Sequence, residues 1–168
     1  TKLLIGGIVG GLLLFIYSFL SWAILNIHGS NTQYTPAQDE IMALLTSKIT
    51  EEGSYMLPAA PKGATSEEQQ AIHESMGGKP WAMISYHKSM NTGMTMNMAR
   101  GLLVDIVIAM TTLWLIYKMR DINFKSVYTF CLTLGILAYL AFPYGFSIWF
   151  ETNTIPDLID AVVSWSLL

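Results

Sequence analysis

Three long apolar runs and a shorter fourth divide the chain, and seven of its twelve acidic residues fall between the first and the second. Residues 3–27 carry no charge over about 25 positions, more than the ~20 a helix needs to cross hydrocarbon. The run also exceeds the ~7–15 apolar residues of a cleavable signal sequence, so an uncleaved anchor is expected. Residues 101–117 and 127–142 read as a second and third span. Residues 155–168 read as the start of a fourth, short enough that the natural chain is expected to continue.

Between the first two spans the period changes. Thr35-Pro36, followed by Asp39 and Glu40, predicts a capped helix over 37–49 with Ile41, Leu44, Leu45 and Ile49 on one face. Gly53 ends it, and Tyr55-Met56-Leu57 predicts a short strand stopped by Pro58. Thr65-Ser66-Glu67-Glu68 opens a second helix running to Met76, closed by Gly77-Gly78. Alternation over 81–87 predicts a second strand. The expected architecture is an all-α membrane protein of four transmembrane helices with a small α/β extramembrane insertion between helices 1 and 2. Its parts are residues 1–27, 28–98 and 99–168. The insertion is too small to bury a core of its own and is expected to lean on other surfaces.

Composition agrees with the pattern. Hydrophobic residues make up 52% of the 168 and charged residues only 12%, against about a quarter in soluble domains. The formal net charge of -3 argues against nucleic acid, which needs a clustered basic surface. Cys131 is the single cysteine and lies in an apolar run, so it is expected to pack. Lys2 flanks the first span, and Lys118, Arg120 and Lys125 surround the loop between the second and third. The bias of such residues toward the cytoplasm puts the N-terminus inside, and the insertion and the 143–156 loop outside.

Candidate chemistry is sparse. Gly6, Gly7, Gly10 and Gly11 form two overlapping G-x-x-x-G pairs, a spacing that admits another helix backbone, either a partner's or the protein's own. Arg100, Asp105, Asp157 and Asp160 form a candidate intramembrane polar cluster. Asp105 and Asp160 are expected one turn inside their spans and at similar depth, with Arg100 as counter-ion for Asp157 or Asp160, because ionisable groups in spans face polar interiors. A structural ion pair is the favoured reading over an ion path. His87, Met90, Met94, Met96 and Met98 make a weaker candidate metal site. Thioethers favour Cu(I), and in an extended chain Met94, Met96 and Met98 share a face. The histidines His28, His73 and His87 are read as solvated or capping. No catalytic or phosphate-binding motif is present, so no enzyme activity and no cofactor are expected.

Four stretches together carry a resemblance: Gly10-Gly11 with Trp22, Tyr55-Met56-Leu57-Pro58, Ala99-Arg100-Gly101-Leu102-Leu103-Val104-Asp105, and Asp157-Leu158-Ile159-Asp160. They resemble small bacterial four-helix inner-membrane proteins of unassigned function. The resemblance implies a bacterial inner membrane and no activity. The expected function is an accessory or scaffolding subunit of a larger membrane complex, contacting lipid and other integral membrane subunits or itself. The alternatives are a small transporter or ion- or proton-conducting oligomer using Asp105 and Asp160, and Cu(I) handling by the Met cluster.

Overall fold

The computed structural model describes all 168 residues and is mostly helical. It divides into two units, one made of Thr1–Gln33 with Gly93–Leu168 and one of Tyr34–Thr92.

The first unit holds three helical segments long and apolar enough to cross a membrane: Lys2–Ile24, Met94–Ile116 and Phe124–Phe150. Helix α1 spans Lys2–Phe19 and runs on through a π-helical turn at Leu20–Ile24. Asn26 then adopts a left-handed conformation (φ 49°), which asparagine tolerates better than most residues. That single residue ends the helix and turns the chain into a short 3-10 segment, Ile27–Asn31.

The glycines of α1 are covered from within the chain. On Gly7 an added Cβ would run into the Met110 side chain, and on Gly11 it would stand 2.6 Å from the Ile106 Cα. The long helix Met94–Ile116 (called α4, after α2 and α3 of the second unit below) therefore lies directly on α1's backbone. The pairing of Gly7 with Met110 and of Gly11 with Ile106 makes the two helices antiparallel. Small residues permit this close approach where lipid offers no hydrophobic drive for association.

A second seam has the same design. Helix α5, Phe124–Tyr139, presents Cys131 and Gly135, four residues apart and both buried, to helix α7, Ile155–Ser166. A Cβ on Gly135 would meet the Trp165 ring at 2.6 Å and the Ala161 carbonyl at 2.8 Å. Pro143, expected in a loop, lies inside a π-helical turn at Leu140–Tyr144 that leads into α6, Gly145–Phe150. A wider turn absorbs the donor that proline lacks. The loop before α7 is thereby reduced to residues 151–154.

The second unit follows the sequence reading closely. Helix α2 is Gln38–Lys48 and helix α3 is Ser66–Met76. Strands β1, Gly53–Leu57, and β2, Ala82–Tyr86, pair antiparallel with Tyr55 opposite Ile84. Thr65 caps α3 in a reciprocal capping box with Glu68. The expected cap at Thr35 differs: Thr35 accepts from the Ala37 N–H across a turn, and α2 starts after Ala37. Pro36 therefore sits in the turn and not at the first helical position.

Candidate functional site

The polar centre of the first unit is built around Asp160. Tyr17 and Ser21 lie four residues apart on one face of α1 and its π-helical extension, and both donate hydroxyl hydrogen bonds to Asp160 Oδ1, at 2.9 and 2.7 Å. His28 reaches the other oxygen, its Nε2 standing 2.8 Å from Oδ2. The Trp22 ring stacks on the imidazole at 3.9 Å between centroids and 7° between planes. Ser21 is fully buried, His28 is 6% exposed and Asp160 23%. No buried side-chain polar atom in the protein is left without a partner.

Local sequence explains how the parts arrive. Pro156 starts α7, so Asp160 falls in the helix's second turn. The reversal at Asn26 swings His28 back over the end of α1. Nearby, Asn153 donates to Ser30 Oγ and Asn31 Oδ1, both at 3.0 Å, which holds the 3-10 segment against the loop before α7. Asp160 thus ties the α1–α4 pair to the α5–α7 pair.

The expected pairing of Arg100 with Asp157 or Asp160 is not formed. The basic side chain at Asp160 is that of His28. Arg100 instead lines a groove of about 530 Å³ with Phe15, Ser18, Asn97, Val104 and Asp105. The depth expectation also changes, because α4 begins at Met94 and not near Gly101. Asp105 is then the central residue of the Met94–Ile116 segment and lies level with Leu12 of α1. Tyr17 and Ser21 stand five and nine residues further along α1, so Asp160 sits roughly 7–13 Å from Asp105 along the helix axis. Asp157, in the first turn of α7, is not among the groups bonded to Asp160.

The methionine stretch is helical where it was expected to be extended. Met94, Met96 and Met98 belong to the first turns of α4, where residues two apart point to opposite sides. Met96 is therefore turned away from Met94 and Met98. Met90 and His87 belong to the second unit. His28 was missed because a histidine beyond the end of an apolar run carries no ligand spacing. The available signal was Asn26, a residue suited to reversing the chain two positions before it.

The fold and this site define a helical membrane protein with an internally satisfied polar tie between two helix pairs. Comparison with known proteins narrows this no further: no family model, curated protein or solved structure matches the chain.

Proposed function

We propose that the protein is an accessory or scaffolding subunit of a larger assembly in a bacterial inner membrane, its second unit presented to a partner on the outer side. One observation carries this reading. Across residues 34–92 only Tyr86 is buried, while Ile41, Met42 and Leu44 of α2 are 45%, 49% and 59% exposed. A unit with one capped helix, a paired sheet and almost no core has made its apolar face for cover. Beside it, Met42, Leu45, Ile84, Tyr86 and Met90 line a groove of about 400 Å³.

Helix α7, held at the depth of Tyr17 and Ser21 and seated along α5, is read as part of a fourth crossing. With Lys2, Lys118, Arg120 and Lys125 on the cytoplasmic side, the second unit is extracytoplasmic. A cysteine placed at Lys62 is then expected to react with an impermeant thiol reagent added from outside, and one at Asn123 only after lysis. The reverse labelling pattern would overturn the orientation.

The subunit reading is tested by a photo-crosslinking residue at Leu44 in living cells. A discrete adduct with another membrane subunit is expected, with none from the same residue at Glu67 on α3. Equal, diffuse labelling from both positions would remove the docking face. The conducting alternative has weaker support, since both Asp160 oxygens are occupied and Asp105 lies at another depth. The copper alternative loses the shared face on which it rested.

A further inference from the structure

Asp105 has no place in the network around Asp160. It stands at the centre of its span, part-exposed, and forms no hydrogen bond or ion pair within the chain. An ionisable group at that depth is costly unless it meets a partner, and it marks a site by default. The groove it lines is bounded by Phe15 and Ser18 of α1 and by Asn97, Arg100 and Val104 of α4.

Arg100 does not supply the missing partner. It lies five residues nearer the start of α4, and no ion pair joins the two side chains. Its distance from Asp105 along the axis is roughly 7 Å. The groove therefore presents an acid at mid-span and a base nearer the surface, at two separate depths. A helix laid into it is complementary if it carries a cation level with Asp105 and none level with Arg100.

From this we infer that the α1–α4 groove is the docking site for a spanning helix of another subunit that bears a lysine or arginine at mid-membrane depth, paired with Asp105. The glycine stripe is not available for this role, since Gly7 and Gly11 are buried against α4. The inference rests on the accessory-subunit reading for its setting, yet its test needs neither the assembly nor the second unit. A failed crosslink at Leu44 and a failure here are therefore distinct results.

The test uses the full chain in lipid vesicles with synthetic leucine helices of about 20 residues, one with a single central lysine and one all leucine. Energy transfer between labelled helix and labelled protein is expected to show association about tenfold tighter for the lysine helix. Asp105→Asn should remove most of that difference. Asp105→Lys should reverse it, favouring a helix with a central aspartate. Since each variant is read against the all-leucine helix on the same preparation, a folding defect lowers both signals and not their ratio. Equal association of the lysine and leucine helices with the parent protein would overturn the proposal. So would self-association of the protein alone that Asp105→Asn abolishes, since the occupant would then be a second copy.

Discussion

Asp160→Leu is expected to lower the stability of the detergent-solubilised protein by about 3–5 kcal/mol, since three polar groups lose their acceptor at about 1–3 kcal/mol each. The loss is large because one carboxylate serves three groups. Its removal leaves the Tyr17 and Ser21 hydroxyls and the His28 ring nitrogen without an acceptor in a region where Ser21 has no solvent contact. The partial exposure of Asp160 places the effect toward the lower end of the range. Thermal unfolding followed by tryptophan fluorescence is a suitable measurement, because Trp22 reports on the stacked His28 directly.

Two companion variants separate the network from packing. Asp160→Asn keeps an acceptor oxygen and is expected to fall between the parent and the leucine variant. Adding Tyr17→Phe, Ser21→Ala and His28→Phe to Asp160→Leu should recover part of the loss, since no orphaned polar group is left. Arg100→Leu, by contrast, is expected to add independently to Asp160→Leu. A coupling energy of 1 kcal/mol or more between Arg100 and Asp160, about the lower range for groups in contact, would show that the His28 pairing is not the one that matters.

Gly11→Leu is the second large expected effect, at least about 1–3 kcal/mol from overpacking. A Cβ at Gly11 already meets the Ile106 backbone at 2.6 Å, so α1 and α4 must move apart as bodies. Gly6→Ala provides the contrast. Its nearest neighbour is the Leu113 Cδ1 at 2.7 Å, the tip of a side chain that can rotate away. Melting temperatures of the two variants should therefore differ sharply although both lie on one stripe. Equal tolerance at Gly6 and Gly11 would mean that the stripe is not sealed by α4's backbone.

The chain's own pattern determined a good deal. Three spans are visible as charge-free or nearly charge-free runs, because a membrane imposes one simple condition, about 20 apolar residues in sequence. The insertion's two helices and two strands are visible too, since Thr65 with Glu68, Gly53 and the 81–87 alternation are local signals read over a few residues. The polar cluster was visible only as residue types. Asp160, Asp105 and Arg100 stand out because charges in apolar segments are rare, but the groups that bond Asp160 lie 132 to 143 residues away in sequence.

Those pairings are what tertiary structure decided. The glycine stripe is equally suited to a foreign helix and to α4, since small residues specify close approach and not whose backbone approaches. The four-residue spacing of Cys131 and Gly135 is the same kind of ambiguous signal. The start of α4 at Met94 moved Asp105 from the mouth of its span to the centre, and separated it in depth from Asp160. The reversal at Asn26 brought His28 onto Asp160 and left Arg100 to its own groove. Each outcome depends on where a helix begins or turns back by a few residues, and at 1.5 Å per residue those few positions decide which charges meet.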